Sequence, residues 1–160
     1  MNVEFINPVL KSMVSTLNMM AQVEPQPGKP NIKSQATAFG DISGVISMSG
    51  PTINGSMSIS FEESTILELT QRILQAKVTE IDEMVEDLAG ELTNIVTGGA
   101  KSELDDLGYD IGMSTPKIYS GKDHVIKHTS EAPVVVLPFK TEIGPIFVEL
   151  CFDPGAQKTR

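Results

Sequence analysis

The segment from Ile42 to Phe61 limits the fold most. Its second half reads Met57-Ser58-Ile59-Ser60-Phe61, with apolar residues and serines in strict alternation. A period of two puts the apolar side chains on one face of an extended strand and the serines on the other. In the first half Ile42, Ile46 and Met48 keep to one side. Ser49-Gly50-Pro51 and Asn54-Gly55 carry turn chemistry. The segment predicts an antiparallel hairpin with one buried face and one polar face. A preceding strand over Ser34 to Ala38 is also expected.

Elsewhere the period changes to that of a helix. Phe5, Val9, Leu10, Met13, Val14, Leu17 and Met20 predict a first helix from about Pro8 to Met20, with Asn7-Pro8 at its start. Its methionines read as gap-filling core. Glu24 to Pro30 holds three prolines in seven residues and reads as an extended connector within one domain. Ser60-Phe61-Glu62-Glu63 has the pattern of a capping box and opens a helix to about Ala76. Thr79-Glu80-Ile81-Asp82 opens a longer one with the stripe Ile81, Met84, Val85, Leu88, Leu92, Ile95 and Val96, ending near Leu107 with Gly108 as stop. Val134 to Leu137 and Ile146 to Phe152 read as strands around a Gly144-Pro145 turn. Shorter strands are expected near Ile111–Met113 and Lys117–Tyr119. The polar stretch 154–160 is expected to fray. The sum is a single α+β domain over residues 1–160. Its antiparallel sheet packs against the two long helices between Ser60 and Leu107, with the N-terminal helix beside them.

Composition removes several functions. The 160 residues carry 12 Lys+Arg against 21 Asp+Glu, a formal net charge of -9. That disfavours nucleic acid, whose phosphates need a cationic face, and anionic membrane surfaces likewise. No apolar run approaches the roughly 18 residues that span a bilayer. Met1 to Val14, with an early Glu4, does not read as a secretory signal. Cys151 is the one cysteine and cannot form an internal disulfide. It reads as a small buried hydrophobe in a reducing compartment, so a cytoplasmic location is expected.

The long helix holds the candidate site. At about 100° per residue, Asp87 and Asn94 fall about 40° and 60° to one side of Glu91, with Gly98 between Glu91 and Asp87. Asp87, Glu91 and Asn94 thus form one compact polar face, away from the apolar stripe. A carboxylate and a carboxamide three residues apart can reach one external target together. Gly98, one turn beyond Asn94, leaves room for another chain. The same pattern also describes ordinary solvated surface, and spacing alone leaves both readings open. A second Glu-x-x-Asn string, Glu4 to Asn7, lacks the preceding acidic residue and reads as chance.

The string Asp87-Leu88-Ala89-Gly90-Glu91-Leu92-Thr93-Asn94, followed by Gly98-Gly99-Ala100-Lys101, resembles the signature helix of the CheC/CheX/FliY family. That signature is Asp or Ser, three residues, Glu, two residues, Asn. Asn7-Pro8, Pro27-Gly28-Lys29-Pro30, Gly40-Asp41-Ile42-Ser43-Gly44 and Gly144-Pro145-Ile146-Phe147-Val148-Glu149 extend the resemblance over nearly the whole chain. One motif helix, rather than a pseudo-symmetric pair, is similar to the CheX-type members. The resemblance implies a CheC-like fold and a phosphatase acting on a phosphorylated CheY-type response regulator, which carries its own phospho-aspartate and Mg²⁺. By motif position Asn94 would orient the attacking water, Glu91 would pair with the regulator's active-site lysine, and Asp87 would lend a supporting contact. No cofactor is then needed on this chain. The resemblance also implies a homodimer joined through sheet edges. A non-catalytic receiver-binding module or a flagellar-switch component are the alternative readings.

Other residues give no site. His124 and His128 lie four apart in a region that reads as strand or loop, with no Cys or acidic cluster to complete a metal cage. Cys151 has no evident base. Gly98-Gly99 lacks the rest of a P-loop.

Overall fold

The computed structural model describes residues 3–159. Its elements, in chain order, are α1 (Val3–Ala21), β1 (Gln26–Pro27), β2 (Asn31–Ile32), β3 (Ile42–Gly50), β4 (Ile53–Phe61), α2 (Glu63–Leu74), α3 (Glu83–Asp106), β5 (Gly112–Met113), β6 (Lys117–Ser120), β7 (Val135–Lys140) and β8 (Ile146–Phe152). The strands form one antiparallel sheet in the order β1-β7-β8-β4-β3-β5, with β2 also on β7 and β6 also on β3. The α+β architecture is the one expected. Helices cover the sheet face that carries Ile42, Ile46, Met57, Ile59 and Phe61, all buried. Among the described residues no helix is long and apolar enough to cross a membrane.

Helix α1 already includes Val3, so Pro8 lies inside it rather than at its start. Packing overrides the missing backbone donor there. Phe5 is buried with its ring 5.1 Å from Tyr109 and 5.2 Å from Phe152, and Glu4 accepts a 2.6 Å hydrogen bond from the Tyr109 hydroxyl. The hairpin closes through Pro51-Thr52, because Gly50 pairs with Ile53. Asn54-Gly55, expected as turn, continues β4 instead. The proline-rich connector is extended as expected and contributes β1 to the sheet edge, with β2 directly after it. The strand expected over Ser34–Ala38 reduces to a single bridge between Thr37 and Val125.

Neither expected capping box forms. Ser60 stays in β4, and the start of α2 is capped across the chain: Glu63 N–H donates to Asp41 Oδ2 at 2.8 Å. Helix α3 is capped by Asp82, whose side chain accepts from Val85 N–H at 3.0 Å, rather than by Thr79. It stops at Asp106, and Gly108 takes φ 103, as expected of the stop residue. Residues 154–159, expected to fray, are tied down. Thr159 N–H donates to Gly108 O at 2.8 Å, and Gln157 O accepts from Thr52 Oγ1 at 2.6 Å. Arg160, the last residue of that expectation, lies outside the described residues.

The largest departure concerns the serine face, which is not solvated. Ser43, Ser56, Ser58 and Ser60 are all buried, together with Glu149 and Cys151 on β8. Two irregular segments, 33–41 and 121–134, close over them and join through Ala38 N–H to His124 O at 2.8 Å. The sheet therefore lies between a helical layer and a layer of loops.

Candidate functional site

Small residues decide how α3 sits. Its buried face is Val85, Leu88, Ala89, Leu92, Thr93, Val96, Thr97, Ala100 and Leu104. The contact is thus turned toward alanine and threonine, while Met84, counted in the apolar stripe, is 44% exposed. Thr93 satisfies its hydroxyl on Ala89 O at 2.8 Å. It lies against Gly44 of β3 so closely that an added Cβ there would be 2.0 Å from Thr93 Oγ1. On the α1 side a Cβ at Gly99 would meet Ser12 Oγ at 2.4 Å, and Ser12 Oγ donates to Val96 O at 2.7 Å. These two close approaches hold the helix between sheet and α1 and fix which face it turns outward.

That outward face carries Asp87, Glu91 and Asn94, all exposed. None of the ion pairs among the described residues includes Glu86, Asp87 or Glu91. Space beside Gly98 is open, with nothing within 4 Å of an added Cβ. The face borders a groove of about 430 Å³ lined by Glu86, Asp87, Gly90, Glu91, Asn94 and the segment Met113 to Ile118 except Lys117. The periodicity of one helix gave the first side of this groove. The second side arises only because β5 and β6 pair with β3 beside α3.

The matching family model, described as chemotaxis phosphatase CheX, covers residues 42–140, well over half of the chain and including the whole motif helix. The chain belongs to the CheX family. It is 50% identical to a CheC-like superfamily protein of Shewanella sp. PV-4, with 96% of this chain and 99% of that one covered and a TM-score of 0.89. It is 28% identical to the CheY-P phosphatase CheX of Thermotoga maritima, over 96% of this chain and 94% of the relative. The CheX of a CheX-CheY-BeF3-Mg complex from Borrelia burgdorferi shares the fold at 23% identity and a TM-score of 0.79, covering 94% of this chain and 99% of that one.

In this CheX family member the histidines are structural pins. His124 Nδ1 lies 2.8 Å from Gly121 O and must donate to it, so Nε2 accepts from Ser43 Oγ at 2.7 Å. Ser60 then donates to Ser43 at 2.6 Å. His128 Nδ1 is 2.7 Å from Ser56 Oγ, which itself accepts from Thr129 N–H at 3.1 Å. Glu149 Oε1 can only accept, so Nε2–H donates to it at 2.9 Å, and in the neutral ring Nδ1 accepts the Ser56 hydroxyl proton. Glu149 Oε2 takes Lys33 Nζ at 2.7 Å in a buried ion pair. Ser56, His128 and Glu149 thus have the order of a nucleophile, base and acid. They are nevertheless sealed beneath the loops, with Glu149 neutralised by Lys33, and the set fastens the layer. Cys151 donates to Ser130 O and Ala132 O, both at 3.3 Å, and burial pushes its thiol pKa up. A protonated, covered thiol is a poor nucleophile.

Proposed function

We propose that the protein hydrolyses the aspartyl-phosphate of a CheY-type response regulator, with Asn94 holding the attacking water and Glu91 anchoring the regulator through its active-site lysine. One observation carries the reading. An exposed carboxylate and an exposed carboxamide stand one turn apart on a tightly seated helix, and no ion pair among the described residues includes Glu91. The name of the Thermotoga relative, a CheY-P phosphatase, supports the substrate. The Borrelia complex, which holds CheY and Mg, supports a regulator that carries the metal.

The chemistry asks little of this chain. In the step, water attacks phosphorus, the bond from phosphorus to the aspartate oxygen breaks, and the carboxylate and inorganic phosphate leave. Mg²⁺ on the regulator would neutralise phosphoryl charge. Asn94 hydrogen-bonds the water in line with the leaving oxygen, a role that needs position rather than basicity. Glu91 fixes the docking angle, and Asp87 adds a contact at the rim. Carboxylates spread over an exposed helix face make a poor Mg²⁺ cage, so the metal belongs on the regulator.

Two alanine variants test the assignment. Asn94→Ala should lower the saturated phosphate-release rate about a hundredfold, with binding to a stable phosphate-mimic regulator nearly unchanged. Glu91→Ala should weaken that binding and also slow release. Both thermal midpoints should stay near the parent's, because each side chain is exposed. Near-normal turnover by Asn94→Ala would sink the mechanism.

A further inference from the structure

We infer that the segment Met113–Ile118 is a second docking wall, fitting a regulator segment in which a basic side chain is flanked by apolar ones. The inference rests on the proposed reading of Asn94 and Glu91, and names what else the same partner must present.

The wall is held rigidly. Ser114 N–H donates to Ser47 O at 3.0 Å, and Ser47 N–H returns a 2.9 Å hydrogen bond to Ser114 Oγ. Pro116 fixes its own φ. On both sides the chain is paired to β3, by Met113 with Met48 and by Lys117 with Val45. A surface this constrained meets a partner with little loss of conformational entropy.

The wall also stands at the reacting residues. Glu86, Gly90 and Asn94 follow one another at intervals of four, so they form a row along α3. At the middle of the row, Gly90 lies in contact range of β6, an added Cβ being 3.4 Å from Ile118 Cδ1. A group that reaches Asn94 therefore enters a groove whose far side is Met113 to Ile118.

Charge complementarity selects the occupant. Glu86, Asp87 and Glu91 bring three carboxylates to the groove, and no ion pair among the described residues engages them. Met113, Pro116 and Ile118 bring apolar surface to the same groove. Glu86 lies about 140° round the helix from Glu91, too far to share one cation with it. A second basic side chain satisfies Glu86, and its apolar neighbours cover Met113 and Pro116.

Thr115 is exposed on this wall and serves as the probe, through Thr115→Arg. The added cation would occupy the groove. KM for the phosphorylated regulator should rise about tenfold or more, while the rate at saturating regulator holds within about twofold and the thermal midpoint is kept. Glu86→Gln should raise KM more modestly and flatten its dependence on salt, because one screened charge contact is lost. Should Thr115→Arg fail to fold, Glu86→Gln decides by its KM and salt slope. Unchanged KM in both variants, with Asn94→Ala still strongly slowed, overturns the wall and leaves the phosphatase reading standing. A parent protein that releases no phosphate from phosphorylated regulators overturns both.

Discussion

Gly44 and Gly90 both face a neighbouring element, yet replacing them should have opposite effects. At Gly44 an alanine Cβ would overlap Thr93 Oγ1 at 2.0 Å and lie 2.9 Å from its Cβ, so α3 would have to leave the sheet. Gly44→Ala should destabilise by about 1–3 kcal/mol. At Gly90 the nearest atom, Ile118 Cδ1, is 3.4 Å away, an ordinary contact, and the position is mid-helix. Gly90→Ala should stabilise by about 0.5–1 kcal/mol. Urea midpoints of the two variants check the contrast, and equal shifts would contradict the packing described for α3. Tyr109 gives a third residue-scale expectation. Its hydrogen bond to Glu4, then burial, pushes its pKa up from 10.0 to about 12. A phenol with a higher pKa in the fold than in the unfolded chain contributes fully below the unfolded value. That contribution is lost as pH climbs through the folded value. Stability attributable to this pair should therefore fall between about pH 10 and 12. Tyr109→Phe should lower neutral-pH stability by about 1–2 kcal/mol and remove that alkaline decline relative to the parent. Denaturation midpoints at a series of alkaline pH values would show it.

Among the elements, the loop layer over the serine face depends on one buried charge pair. Lys33→Met would leave Glu149 buried without its lysine partner, a loss of about 3–5 kcal/mol. Cys151 lies under the same layer, so its alkylation rate reports layer opening. In Lys33→Met, labelling should outpace global unfolding measured by amide exchange in α3. Labelling that follows global unfolding alone would mean the layer does not open by itself. The outward face of α3 was legible in the sequence because helical period is local, and Asp87, Glu91 and Asn94 need only one another to define it. The loop layer was not legible, because alternation in β4 tells which residues share a face and not what covers it. His124 meets Ser43 across 81 residues, His128 meets Ser56 across 72, and Lys33 meets Glu149 across 116. The groove wall escaped for the same reason, since Ser114 meets Ser47 across 67 residues. The α2 cap also came from afar, Asp41 standing 22 residues before Glu63.

Taken as a whole, the molecule has β8, the latest of the described strands in chain order, near the middle of the sheet. Strand β8 hydrogen-bonds β4 on one side and β7 on the other. A ribosome making this chain at roughly 5–20 residues per second delivers α1, the β3–β4 hairpin, α2 and α3 long before the strand that joins them to β7. Until residues 146–152 have cleared the exit tunnel, β4 and β7 lack their shared partner, and Phe61, Ile59 and Met57 have no β8 neighbours. The nascent chain therefore holds an open, apolar-backed β4 edge until β8 emerges, the kind of edge that invites pairing with other chains. Stalled chains ending before Ile146 should be cleaved readily by protease and bound by holdase chaperones. Those carrying Phe152 well beyond the tunnel should resist. Early protection would mean that the hairpin and helices fold without their central strand. For this chain, the exposure of newly made protein in the cell is set by how long β4 waits for β8.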